Sequence, residues 1–248
     1  MRVAALYDIH GNLPALEAVL REVGDAGVDL VIVGGDVFPG PMAVEALELL
    51  RGLAIPTQFI RGNGDRETLA MREGQETAAV PEAHRPSMRW GAEQLSAEQV
   101  RFVGSWPLTV RVEVAGLGDV VFCHATPRND VDIFTRLTRE APLVPIFAGA
   151  NAPIVVCGHS HMQFDRMIGQ VRVVNAGSVG MPFGPAGADW LLLDPGIQLR
   201  HTAYDLAAAA LRIRATPYPM AEEFAATYVM NPPTEDVILK AFAHAEVK

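Results

Sequence analysis

At 248 residues the chain is long enough to bury a substantial core, as one large α/β domain or as a domain with an appendage. Half of the residues are hydrophobic, yet no apolar run approaches the ~18 residues of a membrane span, which excludes a transmembrane helix. Basic residues number 20 and acidic residues 29, and the net charge of −9 has the wrong sign for a protein that binds by neutralising nucleic-acid phosphates.

The first element is a strand at Val3–Leu6, which runs straight into Tyr7-Asp8-Ile9-His10-Gly11-Asn12. It begins without the basic and apolar regions of a secretory signal, so a cytoplasmic location is expected. Leu16, Val19, Leu20 and Val23 then recur at helical spacing, with Asn12 as N-cap and Pro14 in the first turn. A strand at Leu30–Val33 ends in Gly34-Gly35-Asp36, residues 42–50 read as a helix, and a short strand at 58–60 ends in Arg61-Gly62-Asn63-Gly64-Asp65. Residues 86–104 read as a further helix.

From about residue 108 the pattern turns to strands, at 108–114, 120–123, Ile154–Cys157, Gln163–Ile168, 171–174 and 190–193. Turn signals at 116–119 and 169–170 imply hairpins within mixed sheets. Cys123 and Cys157 close two of these apolar runs, where a small buried hydrophobe is expected rather than a disulfide. The tail from Tyr204 reads as two or three short helices broken at "TPYP" and "NPP". Its apolar residues, Leu206, Leu211, Ile213, Phe224, Tyr228, Val237, Leu239 and Phe242, are too many for a solvated segment, so the tail is expected to be ordered and buried.

Every strong run in the first two thirds ends in a residue able to hold a metal. The first reaches Asp8 and His10, the second Asp36, the third Asn63 and Asp65; His124 follows Cys123, and His159 and His161 follow Cys157 in "GHSH". In open α/β sheets sites form at the carboxyl ends of strands, so these endings are expected to meet in one crevice. Residues i and i+2 of an extended segment face the same way, which would let Asp8 with His10, and His159 with His161, each present two side chains to one cavity. Singly, each residue is also explained as a satisfied structural histidine, a helix cap or a turn residue; the repetition after strand after strand argues for a shared ligand.

The motifs "DIH", "GGD", "GNGD", "CH" and "GHSH", in this order between residues 8 and 161, resemble the calcineurin-like metallophosphoesterases. The segment "NAGSVG" at 175–180 is similar to one in their bacterial and archaeal phosphodiesterase branch. The resemblance implies an α/β fold of the four-layer type, two mixed β-sheets packed face to face and flanked by helices, over residues 1–205, with 206–248 as a helical extension packed on the core. It places Asp8, His10 and His161 on one divalent metal and Asn63, His124 and His159 on a second, with Asp36 bridging. A hydroxide between the ions would attack phosphorus in line, so that Asp36, Asn63 and His124 also count as catalytic. The donors are nitrogen and oxygen without thiolate; manganese is favoured, and iron, zinc, cobalt and nickel are compatible.

The resemblance implies a small-molecule or nucleotide phosphodiester as substrate. A phosphomonoesterase, a protein serine/threonine phosphatase or a dinucleoside polyphosphate hydrolase is the enzymatic alternative, and a non-catalytic metal-binding scaffold the alternative from another class. A homo-oligomer is compatible with the sequence. One departure stands out: many relatives carry a histidine, thought to protonate the leaving group, where this chain has Gly64. Asp65, which would orient it, is expected to bond to backbone. Arg128 reads as a phosphate clamp or as a surface arginine, and Asn12 and Asn175 as substrate-binding residues or as cap and turn residues. Met162, Met181 and Phe183 read as an apolar wall for a leaving group or as core.

Overall fold

A computed structural model of the chain describes residues 1–75 and 80–247. Strand β1 (Val3–Leu6) leads into helix α1 (Leu13–Asp25), followed by β2 (Leu30–Val33), α2 (Ala43–Arg51), β3 (Thr57–Phe59), α3 (Asn63–Arg72), α4 (Arg85–Gln94) and α5 (Ala97–Gly104). The second half adds β4 (Thr109–Val114), β5 (Gly118–Cys123), α6 (Val144–Ala148), β6 (Ile154–Cys157), β7 (Gln163–Ile168), β8 (Val171–Ala176), β9 (Ala188–Asp194) and β10 (Gly196–Thr202). The tail holds α7 (Leu206–Arg214), the single turn α8 (Ala221–Glu223) running into a π-helix at Phe224–Met230, and α9 (Glu235–Phe242).

The strands form two five-stranded mixed sheets, ordered β10-β9-β1-β2-β3 and β4-β5-β6-β8-β7. In the first, β1, β2 and β3 are parallel and β9 and β10 complete the edge in antiparallel register. In the second, β5, β6 and β8 are parallel and antiparallel β4 and β7 close the two sides. Side-chain alternation along each strand divides the core into layers. Val3, Ala5, Leu30 and Ile32 face Val120, Phe122, Ile154 and Val156 across the sandwich. Ala4, Leu6, Val31 and Val33 face α1 and α2 on one outer side, while Val121, Cys123, Val155 and Cys157 pack with Phe147 of α6 on the other. Strands buried on both faces must be apolar throughout, which is why β1, β2 and β6 read as unbroken hydrophobic runs.

Asn12 caps α1 through its Oδ1, which accepts from Ala15 N at 3.3 Å. The helix expected over 86–104 is two helices. Leu95 is extended at ψ 127°, and Ser96 starts a new helix by a capping box with Gln99, whose backbone N–H reaches Ser96 Oγ while its side chain accepts from Ser96 N. Strand β10 has no counterpart in the sequence reading, because six of its seven residues are not buried, so it lacks the mark of an apolar run. Cys123 and Cys157 are free and buried. Among the described residues no helix is long and apolar enough to cross a membrane.

The tail breaks where its prolines predict. Ala209, Ala210, Ile213, Tyr218, Phe224 and Val229 form a cluster with Met42, against which Leu13, Trp90 and Met181 pack. Arg212 and Glu17 of α1 tie α7 to the body by two bonds of 2.7 and 3.1 Å. Lys248 lies outside the described residues.

Candidate metal centre

The strands deliver their candidate ligands to one place, but not by the extended geometry that the i, i+2 spacing suggests. Asp8, His10, Asp36, His159 and His161 all occupy the left-handed region, with φ of 52°, 45°, 53°, 65° and 55°. Such a conformation is uncommon outside glycine and costs about 1 to 3 kcal/mol per residue. Backbone pairing that extends past the strand ends holds it: Asp8 N donates to Gly35 O at 3.1 Å, His10 N to Asp36 O at 2.9 Å, and Gly11 N to Val37 O at 3.1 Å. The "NAGSVG" loop clamps the same turns, with Ser178 Oγ donating to Asp8 O at 2.7 Å and Gly180 N at 3.0 Å.

Ligand atoms fall into two groups, Asp8, His10 and His161, and Asp36, His124 and His159. In the first, His161 Nε2 lies 3.3 Å from both His10 Nε2 and Asp8 Oδ1. In the second, His124 Nε2 lies 3.2 Å from His159 Nδ1 and 3.6 Å from Asp36 Oδ1. The other oxygen of Asp36, Oδ2, is 3.7 Å from His10 Nε2, so the carboxylate spans the two groups. Asn63 Oδ1 is 3.2 Å from His124 Nε2.

The hydrogen bonds fix which atoms carry lone pairs. His10, His124 and His161 each direct Nδ1 at a backbone carbonyl, of Pro39 at 3.3 Å, Gly34 at 2.9 Å and Met181 at 2.9 Å. A carbonyl can only accept, so each Nδ1 carries the proton and each Nε2 presents a lone pair inward. Asn63 donates its amide to Glu67, one turn further along α3, which leaves Oδ1 facing the same cluster. Acceptors thus face acceptors at 3.2 to 3.7 Å, and Asp8 Oδ1 is buried with no hydrogen-bond donor. Such an array is repulsive unless a cation lies within it, and the donor set fits a divalent metal of the nitrogen- and oxygen-preferring kind.

The titration shifts follow from burial and from mutual charge. Burial, reinforced by the neighbouring His161, lowers His10 to about 3, and burial with the neighbouring His124 lowers His159 to about 3, so both stay neutral. Burial followed by the charges of Asp65 and Asp8 pushes Asp36 well above the usual carboxylate range. Burial also raises Asp8, but the combined pull of His161, His124 and His10 prevails and holds it low. Against the penalty of its own burial, Asp8 raises His161.

Asp65 is wholly buried and bonds only to backbone: Oδ2 accepts from Asp36 N at 2.8 Å and Gly62 N at 2.9 Å, and Oδ1 from Phe38 N at 3.1 Å. Asp36 Oδ1 in turn accepts from Gly64 N at 2.7 Å. Glycine at 64 is a steric necessity, since a Cβ there would lie 2.3 Å from Phe38 O.

The three residues proposed to bind substrate lie elsewhere. Arg128 is half exposed, paired through two bonds of 2.6 and 3.0 Å with Asp132, and lines a separate depression with Pro142 and Ile146. Asn12 is fully buried, its amide donating to Gly180 O and Tyr204 Oη and its Oδ1 capping α1. Asn175 donates to Gly158 O at 2.6 Å and to Ser160 Oγ at 3.1 Å, holding the "GHSH" turn from behind. None of the three lines the cavity above the candidate ligands, and the polar groups of both asparagines are spent on positioning the ligand loops. Of the apolar trio, Met162 is core, Met181 lines the cavity, and Phe183 stacks on the His161 ring with centroids 5.2 Å apart.

That cavity, of about 430 Å³, opens over His10, Asp36, Asn63 and His159. Sequence reading missed Glu67, His84, Met88 and the tail residues Tyr218, Met220, Phe224 and Tyr228 on its lining. Helical spacing from Asn63 marks Glu67; no local pattern marks the others, which the tail and α4 bring in from far along the chain.

A four-layer sandwich with histidines and aspartates clustered at the carboxyl ends of its strands is the architecture of metallophosphoesterases. The sequence profile of the calcineurin-like phosphoesterase superfamily domain matches residues 1–195, and the chain belongs to that superfamily. An uncharacterised protein of Methanocaldococcus jannaschii, MJ0912, is 26% identical over 232 residues, covering 85% of this chain and 91% of its own. Two crystal structures share the fold. Hypothetical protein PH1004 of Pyrococcus horikoshii OT3 has a TM-score of 0.76 at 21% identity, over 94% of this chain and 99% of its own. A metallophosphoesterase of Sphaerobacter thermophilus has a TM-score of 0.69 at 24% identity, over 92% and 99%.

Proposed function

We propose that this chain is a dinuclear metal-dependent phosphoesterase acting on small-molecule phosphodiesters, with manganese as the favoured metal. One observation carries the reading: seven inward-facing oxygen and nitrogen donors, from Asp8, His10, Asp36, Asn63, His124, His159 and His161, lie in two touching groups with Asp36 between them. Asp8, His10 and His161 would hold one ion, Asn63, His124 and His159 the other, and Asp36 both. The ions would supply Lewis acidity, activating water and offsetting charge that develops on phosphorus.

The chain's own contributions are positional. The backbone carbonyls of Gly34, Pro39 and Met181 fix the imidazole tautomers, and Glu67 fixes the amide of Asn63. The cavity beside them is apolar on one side, and among the described residues no lysine or arginine lines it. A diester carries one negative charge and needs fewer counter-charges than a monoester dianion, which favours the diester.

The test is hydrolysis of bis-p-nitrophenyl phosphate and p-nitrophenyl phosphate by chelator-stripped protein supplied separately with manganese, zinc and magnesium, beside Asp36→Asn. Metal-restored diester cleavage that the variant loses by at least ~100-fold is expected, because the variant removes one charge shared by two ions. Failure of every metal to bind the native protein refutes the reading.

A further inference from the structure

The cavity is built asymmetrically. Its floor is the metal cluster; its far wall is apolar and comes largely from the tail, where Tyr218, Met220, Phe224 and Tyr228 face it beside Val80 and Met88. The four tail residues of the wall follow residue 195, where the family match ends, so the superfamily's common chemistry does not account for them.

The wall is built on aromatic contacts. Trp90 meets Tyr218 edge-on with centroids 5.3 Å apart, Tyr218 meets Phe224 at 6.4 Å, and Phe224 meets Tyr228 at 5.6 Å. Burial, only partly offset by a bond to Ser87, pushes the Tyr218 hydroxyl up to about 12, so it contributes no anion. Besides the metal-binding set, the charged or ionisable groups on the lining are Glu67, His84 and the two tyrosine hydroxyls. A second phosphoryl group would therefore meet no lysine or arginine among the described residues of this wall; outside the metal-binding set its one ionisable base is the exposed His84. An apolar or aromatic ring would meet aromatic faces and the adaptable thioethers of Met88 and Met220.

We infer that the tail forms a binding wall for the organic group of the substrate, selecting phosphoesters of neutral aromatic or apolar alcohols over those bearing further phosphates. This rests on the phosphoesterase reading above and names its substrate class. A preformed cavity of this size matches a ring-sized group beside a phosphoryl group, in the range of ordinary small-molecule sites.

Calorimetric titration of the full chain, loaded with manganese, tests the wall without turnover by comparing methylphenylphosphinate with dimethylphosphinate, which carry the single charge of a diester. The two share the phosphinate head and differ by the ring. Burying the ring against the wall is expected to tighten binding about ten- to hundredfold. Tyr228 and Met220 are only half-buried, so Tyr228→Ala and Met220→Ala are expected to fold. Each should reduce the phenyl-to-methyl ratio to about threefold or less, while Tyr228→Phe, which keeps the ring, retains most of it. If both phosphinates bind native protein equally, the wall is wrong while the phosphoesterase reading stands. A native preference that survives in both alanine variants also overturns it. If the metal-loaded chain binds neither phosphinate, the phosphoesterase reading falls, and the inference with it.

Discussion

Replacing Gly64 tests the most local departure of this chain from its relatives. The obvious repair, Gly64→His, is expected to damage the site rather than improve it. A Cβ at this position lies 2.3 Å from Phe38 O and 3.0 Å from Asp36 Oδ1, and the first of these is backbone, which has no rotamer by which to retreat. Relief requires the 36–39 turn to move, and that turn carries Asp36 and the Pro39 carbonyl that orients His10. Even Gly64→Ala introduces the contact. Overpacking of this kind costs about 1 to 3 kcal/mol, and the helix-propensity gain of alanine, at most about 1 kcal/mol, is only partly realised in the first turn of α3. For a domain of this size the cost corresponds to a fall in Tm of roughly 2 to 12 °C. Since the Gly64 N–H to Asp36 bond is strained in the same movement, metal affinity should drop about tenfold or more. Differential scanning calorimetry of chelator-stripped Gly64→Ala, with metal titration of the same sample, reads both. A variant that keeps native Tm and native metal affinity would show that the turn is compliant and refute the steric argument.

Asp65→Asn isolates the buried carboxylate beneath Asp36. Three backbone N–H groups converge on its two oxygens, and an amide offers one oxygen and a competing donor, so at least one N–H is left unpaired at a cost of about 1 to 3 kcal/mol. Metal affinity measured by titration is expected to fall about 10- to 100-fold, and an unchanged value would remove Asp65 from the site's support. In metal-stripped protein, histidine-resolved NMR titration should find His10 and His159 neutral down to about pH 4. Both values are depressed in the folded state, so each contributes stability that is whole above the ordinary value of 6.5 and is lost as pH falls toward 3, by about 1.4 kcal/mol per unit. A midpoint above about 5.5 for either ring contradicts the burial assigned to it.

The sandwich was legible because its strands are buried on both faces: β1, β2 and β6 admit only apolar residues, and each must stop where the chain turns into the crevice. The metal-competent residues stand at those stops and so could be listed by position. Their backbone conformation was not legible. The extended i, i+2 argument brings Asp8 and His10 to one cavity, whereas the chain does so through left-handed turns stabilised by the residues after β2 and by the "NAGSVG" loop, partners 26 to 172 residues away that no local pattern announces. Asn12 and Asn175 show the converse difficulty. A polar residue beside a ligand motif looks identical in sequence whether it points at substrate or at the backbone of the ligand loop, and only the partner of its amide decides. The wall from the tail depends entirely on how residues 206–230 cross the mouth of the cavity.

The positions of strain and of hydrogen bonding together bear on when the centre is formed. The five candidate ligands in left-handed conformation have nothing to gain from it locally, and an unfolded or loosely folded chain would relax them into the β or right-handed region. They persist because the carbonyls and N–H groups around them are committed elsewhere in the fold: Asp8 through its N–H to Gly35, its Oδ2 to His159 N and its own carbonyl to Ser178 and Gly180; His10 to Asp36 and Pro39. These commitments reach the ends of three strands, β2, β6 and β8, so the cost of strain is met by both sheets of the sandwich. A site assembled by its metals would place the ligands on mobile loops and leave their outer nitrogens to solvent. Here the outer nitrogens of His10, His124 and His161 already face carbonyls of the scaffold and the inner ones already face each other at repulsive distance. The fold therefore prepares the repulsion that a cation relieves, and metal binding is expected to stabilise the protein strongly while changing its ligand geometry little.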